Sequence, residues 1–590
     1  MKILFILCFL VSAQMLSQND ALANDYYKNG DFEKALYEYK KLYAQSPSNI
    51  NYIFQIISSH QELEQYNEAE SFLIKIMERV NYPSFTVELG YNYQLKNDTD
   101  KANLNYQKAL QSIDLNPSNV FSIVRSFESH ALTNQAIIAY EKAMTKNPNY
   151  NFSLQLAKLY GEQGNIEKMF ISYIDFAQSN PLVLSNIKRA ISEFISENGE
   201  TENNLLLKKI LLKKVQLDPQ IIWNDLLSWL FIQQNDFKKA FAQEKAIFSR
   251  QPENLYKIQE LADIAFSKNA FETAKEIYTY ITTISQDLDL LLEAHYNLLQ
   301  LETKQSTATN YNTIDIAYQD LFKKYGTFAQ TLKLQIAYAH FLAFNKNETK
   351  KATKFLEETL KLPLTEIQQA DIKLELGDIL VLQEKFNDAL IYYTQIQHNL
   401  KNSTLSQTAR FKVAKASYYK GDFKWAESQL KILKASTSQL IANDALDLKL
   451  LITDNKYEDS LQIALKLYAK ADLMAFQNKN DEAITLLDSI LKNHKSESII
   501  PQVLYKQAQL FENKKEYLKA EANYTNILIN YKDGILVDDA CFSLANLYVT
   551  YLSEPEKAKA LYEDIILNHT DSIYLIDARK KYRILRGDAL

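Results

Sequence analysis

Apolar residues recur along most of the chain at i, i+3, i+4 and i+7, the spacing of one face of an α-helix. The runs come in pairs. In the third such pair Leu89, Gly90 and Tyr93 line one face of a first helix, and Ala102, Tyr106 and Ala109 line one face of a second. A residue, usually small, marks the place where two helices approach: Ala35, Ala69, Ala102, Ala136 and the larger Met169 follow at 34, 33, 34 and 33, and Ala240 to Ala274 again spans 34. Prolines give a second ruler in nearly constant phase. Pro47, Pro83, Pro117, Pro148, Pro181, Pro219 and Pro252 are separated by 36, 34, 31, 33, 38 and 33 residues, as expected where proline marks the end of a repeating helical unit. Within each pair the break reads glycine, Asp or Asn, then an apolar residue: Gly30-Asp31-Phe32, Gly164-Asn165-Ile166, Gly421-Asp422-Phe423. Glycine supplies a positive φ and Asp or Asn caps the second helix. Where glycine is absent the apolar residue persists, as Tyr66, Phe237, Phe271, Phe386 and Tyr517.

These residues resemble the tetratricopeptide repeat (TPR), a helix-turn-helix unit of 34 residues. The first unit supplies Leu22, Ala23, Tyr26, Ala35, Tyr39, Leu42 and Pro47, and the fourth Ile123, Phe127, Ala136, Tyr140, Ala143 and Pro148. The resemblance implies an all-α fold, a right-handed α-solenoid of about fifteen helix-turn-helix repeats with a C-terminal capping helix. From Ala352 the unit lengthens: Ala352 to Ala389, Ala389 to Ala426 and Ala483 to Ala520 each span 37, and Ala520 to Ala558 spans 38. Added residues are expected to extend helices or the loops between repeats. The longer unit is similar to TPR proteins of periplasmic envelope assembly in Gram-negative bacteria. The expected organisation is a leader at 1–13, a TPR array of 34-residue repeats at 14–181, a degenerate helical pair at 182–219, further repeats at 220–282 and an irregular pair at 283–330. Longer repeats follow at 331–436, an extra helix and linker at 437–460, longer repeats again at 461–571, and a cap and tail at 572–590. In the cap, Ser572 to Arg586 reads as a helix with Ile573, Ile576, Ala578, Tyr582 and Leu585 at apolar positions, Asp571 and Ser572 before it, and a solvated basic cluster of Arg579, Lys580, Lys581, Arg583 and Arg586.

Composition agrees with long helices and few breakers. The 590 residues include only 10 glycines and 10 prolines, where average usage gives about 70 of the two together. That removes collagen-like, linker-rich and disordered readings. A formal charge of −6 lacks the basic excess that phosphate neutralisation requires, so no nucleic-acid partner is expected. Met1, Lys2, nine apolar residues from Ile3 to Val11 and then Ser12-Ala13-Gln14 read as a secretory leader cut before Gln14. The apolar run is too short to be a transmembrane anchor. Expected localisation is therefore exported and periplasmic, peripheral at the outer membrane. Without Cys8 the mature chain has a single cysteine, Cys541, and no internal disulfide; on a predicted helix between Ala540 and Phe542 it reads as a buried small hydrophobe.

No HExxH, GxSxG, Walker-type or EF-hand pattern occurs, and the seven histidines are never paired at i, i+4. No enzyme, cofactor or metal is expected. Tyrosine is abundant, 38 in all, but Tyr39, Tyr106, Tyr140, Tyr173, Tyr278, Tyr393, Tyr524 and Tyr562 share one place in the second helix and read as packing residues. Register transferred from the TPR resemblance places Tyr27, Lys28, Phe54, Tyr91, Gln94, Phe121 and Arg125 on the concave surface, as candidates for gripping a partner. Packing against a neighbouring repeat is the competing reading of the same aromatics. The carboxylate clamp of chaperone-binding TPR proteins is not matched, because Asp20, Asn24, Val87 and Tyr91 stand at its places. The expected function is an exported, non-enzymatic scaffold that holds protein segments in a concave groove within an envelope assembly or secretion complex, in association with the outer membrane. The alternative is a solenoid that carries a glycan or another small ligand.

Overall fold

A helical hairpin stays together when its turn satisfies the last carbonyls of the first helix and its facing side chains let the two axes approach. Both conditions recur along this chain. A computed structural model describes residues 20–252, 255–433, 438–456 and 462–588; the expected leader, 1–13, lies outside them. Among the described residues the elements are helical throughout and follow one another as about fifteen hairpins, with a lone helix at Gln439–Asn455 and a last helix at Leu575–Arg586. The fold is an all-α solenoid. Packing divides the chain into residues 1–230 and 231–590.

In the first unit, residues 20–28 pair with Phe32–Gln45, Ile50–Glu62 with Tyr66–Met77, Ser84–Leu95 with Thr99–Leu115, Val120–Ser129 with Thr133–Lys146, and Ser153–Glu162 with Ile166–Ser179. Ala35, Ala69, Ala102, Ala136 and Met169 are all buried, as are Tyr39, Tyr106, Tyr140 and Tyr173. The alanine ruler is thus a packing ruler. The degenerate pair is Leu184–Ser192 and Glu202–Leu217, and its long connection is tied by one buried side chain. Asn204 donates to the carbonyls of Ser196 and Asn198 and accepts from the Ser196 N–H.

The second unit carries the irregular pair as two long helices, Leu288–Gln305 and Tyr311–Tyr325. The extra residues of the later repeats are absorbed in three ways. The first helices Glu366–Leu382 and Thr404–Lys420 reach 17 residues. Around 494–499 and 531–536 the added residues lie in loops between hairpins. The third way was not foreseen: π-helical turns at Phe341–Asn345 and Tyr548–Leu552 each take up one residue, so the closing bonds there, Glu348 N–H to Leu342 O and Glu554 N–H to Tyr548 O, span six residues instead of five.

Every regular hairpin turn uses one device. The bond from Asp31 N–H to Tyr26 O recurs as Gln65 to His60, Asp98 to Tyr93, Asn165 to Tyr160, Lys385 to Leu380 and Asp422 to Ser417, the longer bond of a Schellman closure. The residue before each of these donors has positive φ. It is glycine at Gly30, Gly164 and Gly421, and elsewhere Glu64, Asn97, Ala131, Asn235, Asn269, Glu384, Asn478 or Lys515. Asp98, Asn165, Asp236 and Asp422 cap the second helix with their side chains. Asp31 does not; its carboxylate is turned to Lys34.

The last helix begins at Leu575, three residues later than expected, after Ser572 Oγ accepts from the Tyr574 N–H. Ala578 is buried and Tyr582 and Leu585 pack on the core, but Ile573 and Ile576 are 83% and 79% exposed. Lys581 departs from the solvated cluster: its ammonium lies against Asn546 Oδ1 and over the Phe542 ring, and burial lowers its pKa. Cys541 is buried, with its S–H directed to the Leu561 carbonyl at 3.3 Å.

Candidate functional site

The tyrosine stripe of the second helices does more than fill space. Six of its eight hydroxyls reach a polar group on the preceding first helix, among them Tyr106, which donates to Gln94 Oε1 at 2.9 Å, Tyr278 to Asp263 at 2.5 Å, Tyr393 to Asp378 at 2.7 Å and Tyr562 to Asn546 at 2.8 Å. A buried phenol needs such an acceptor. The consequence for function is that the first-helix face is built from polar side chains held in place from behind.

On that face the seven sequence candidates divide. Tyr27 is half-buried, edge-on to Phe32 at 5.2 Å, and Phe54 is half-buried against Tyr82 and Phe85. For these two the packing reading applies. Gln94 is exposed but already accepts from Tyr106. Tyr91 lies flat on His130 with ring centroids 3.7 Å apart and planes 16° from parallel. His130 Nε2 in turn bonds the Glu88 carboxylate at 2.8 Å, and the Glu88 side chain is only 3% exposed. Phe121 is 59% exposed and touches Tyr150 and Phe152 edge-on. Lys28 and Arg125 are exposed and make no ion pair among the described residues.

Glu62, Glu88 and His130 belong to this site and were not picked out from the sequence. Glu62 was legible, because it stands one 34-residue unit after Lys28. It is exposed, without an ion pair among the described residues, and close enough to both Tyr27 and Tyr91 to raise each phenol's pKa, after burial, which is the larger cause. His130 and Glu88 are 42 residues apart and only the stacking of hairpins joins them. Glu128, whose carboxylate accepts from Tyr140, is shifted upward by burial.

Over residues 340–506 the equivalent face in the second unit is filled by the chain itself. His340 stacks on Phe344 at 4.3 Å and bonds Glu375 at 2.9 Å; burial opposes its charge, but Glu375 outweighs that and raises its pKa. Lys412 pairs with Asp378, Lys506 with Asp472, and Phe476 packs against Phe344 and Tyr419. Gln477 and Asn478 then donate to the carbonyls of Leu382 and Phe344, 95 and 134 residues upstream. This clasp joins hairpins that a simple array keeps apart. Depressions elsewhere in this unit are shallow: about 180 Å³ among Asp289, Glu293, Gln330 and Lys333, and about 470 Å³, open to solvent, along Leu390, Ile391, Thr394 and His398. Among the described residues no group of three or more His, Cys, Asp or Glu is arranged to hold a metal, and no helix is long and apolar enough to cross a membrane.

By its own hairpins the chain is an all-α solenoid of helix-turn-helix repeats. No family model and no curated protein matches it. Among solved structures it is similar to one described as Naa15/Naa10 bound to HypK-THB, at 11% identity over 97% of this chain and 94% of that one, with a TM-score of 0.28. It is also similar to the APC/C hetero-tetramer Cut9-Hcn1, at 14% identity over 98% of both chains, with a TM-score of 0.23.

Proposed function

We propose that this protein is an exported, non-catalytic scaffold that holds extended segments of partner proteins against the first-helix face of residues 20–162, within an envelope assembly or secretion complex at the outer membrane of a Gram-negative cell. The observation that carries this reading is the contrast between the two units. Lys28, Glu62 and Arg125 and the exposed Phe121 ring stand without ionic partners or cover in the first unit, whereas over residues 340–506 of the second the same face is satisfied by His340, Lys412, Lys506 and the Gln477–Asn478 clasp. An exposed aromatic flanked by cationic groups is a good anchor for a peptide. The leader-like residues 1–13 support export.

The test places a photo-crosslinking amino acid at Phe121 and, separately, at exposed Leu518 on a second helix of the other unit, in cells that express the full chain. Reproducible adducts of defined proteins at 121 and none at 518, in the periplasmic fraction, are expected. Equal labelling at both sites, or a chain retained in the cytoplasm, overturns the reading. The Phe121 ring is also a platform on which a sugar could stack; thermal stabilisation by oligosaccharides and not by peptides moves the function to glycan carriage.

A further inference from the structure

Three consecutive hairpins bring Tyr27, Glu62 and Tyr91 to one place on the first-helix face, and the fourth hairpin supplies the floor. His130, bonded to buried Glu88, covers one face of the Tyr91 ring. The ring cannot turn away without losing that stack. Its phenol, like that of Tyr27, feels the Glu62 carboxylate. Glu62 has no cation of its own among the described residues, whereas Asp378 and Asp472 on the matching face of the second unit each have one. An exposed carboxylate near two electron-rich rings, one of them fixed, is the chemistry that receives a cation.

We infer that Glu62, with Tyr27 and Tyr91 near it, forms a pocket for an arginine or lysine side chain of the bound partner segment. Guanidinium suits it better than ammonium, because it stacks on a phenol ring while donating two parallel hydrogen bonds to the carboxylate. The flanking charges set the rest of the motif. Lys28 precedes the pocket in hairpin order and Arg125 follows it, so a uniformly basic segment meets repulsion at both ends. One cation with acidic residues to either side fits. The inference rests on the scaffold reading above and names the partner's chemistry.

The experiment selects twelve-residue peptides from a displayed library on the immobilised full chain, on Glu62→Gln and on Glu62→Lys. Glu62 is exposed, so these variants are expected to keep the helical circular dichroism of the parent. Peptides from the parent should carry a single Arg or Lys flanked by Asp or Glu, and replacing that Arg by neutral citrulline should weaken binding about tenfold. Glu62→Gln should remove the preference for Arg over citrulline, and Glu62→Lys should select an acid at the same place. Binders that Phe121→Ser weakens but that show no cationic preference, or whose preference survives Glu62→Gln, overturn the pocket and leave the scaffold standing. A parent that selects no binder overturns both.

Discussion

The Tyr393 ring lies across Gly377 so closely that a methyl group on that α-carbon would fall inside the ring's van der Waals surface. The same relationship holds between Gly90 and Tyr106, where the added carbon would stand 2.6 Å from Cε1. Glycine is required here for room, since neither residue has a positive φ. Tyr393 is fully buried and its hydroxyl is fixed by Asp378, so the ring has no place to retreat. Gly377→Ala is expected to cost about 1–3 kcal/mol, the range for overpacking, and to speed amide exchange in helices Glu366–Leu382 and Phe386–Asn399. Gly377→Ala combined with Tyr393→Leu should recover part of the loss. Unchanged exchange in the single variant would contradict the close packing.

The hairpin turns carry a cost of a different origin. Glu64, Ala131, Glu384 and Lys515 hold φ of 56, 52, 59 and 62°, a region in which a side chain costs roughly 1 kcal/mol and glycine does not. Ala131→Gly and Glu384→Gly are each expected to stabilise the protein by about 0.5–1 kcal/mol, read as a higher midpoint in urea. A drop of similar size would mean that the αL geometry is not maintained in solution.

What the sequence made legible was the part of the fold set by burial. Ala35 and Ala69 and the tyrosines from Tyr39 to Tyr562 could be placed because packing repeats with the unit, and they are buried. The place of the turn was legible from its apolar residue, but its positive φ only where glycine supplies it. The backbone closes the same way around Asn97 or Lys515, because the hydrogen bonds, not the residue, dictate the conformation. The π-turns were invisible, since an added residue shows its length and not its mode of accommodation. Ile573 and Ile576 take apolar positions by periodicity, yet they are exposed at the start of the terminal helix. At the candidate site single residues could be listed from register, but the stack of Tyr91 on His130 and its support by Glu88 arise from two helices of two hairpins. No local pattern encodes that meeting.

Asp315 ties the irregular pair to the hairpin after it. Its carboxylate is buried and accepts from Lys346 at 2.5 Å, Tyr338 at 2.7 Å and Gln319 at 2.8 Å. Burial alone would raise its pKa, but these donors with Lys351 bring it down to about 2. A depressed carboxylate stabilises the fold fully above its unfolded value, about 4, and the contribution fades as pH falls through about 2. Asp315→Ala, which strands a buried ammonium and a phenol, is expected to cost about 3 kcal/mol. Asp315→Asn should flatten the loss of stability between pH 4 and 2 relative to the parent. Parallel acid profiles for the two proteins would show that Asp315 is not the group responsible.

At the alkaline end the sign reverses, and the tyrosine stripe is the reason. Burial pushes the phenols of Tyr39 and Tyr562 up to about 12, and those of Tyr106, Tyr140, Tyr278 and Tyr524 higher still. The fold favours the neutral form, while an unfolded chain ionises near 10. Their contribution is therefore intact below about pH 10 and is lost as pH rises through 12. Because such phenols sit in about half of the hairpins and in both units, ionisation and loss of helix should occur together. Cys541 gives an independent readout in the same range: burial lifts its thiol to about 12, so it should resist a maleimide at neutral pH and react only as the hairpins open. The expected result is a steep rise of tyrosinate absorbance, coincident with falling helical dichroism and with Cys541 labelling. Most of the tyrosines titrating smoothly near pH 10 with the helices intact would mean that the stripe is not buried as described.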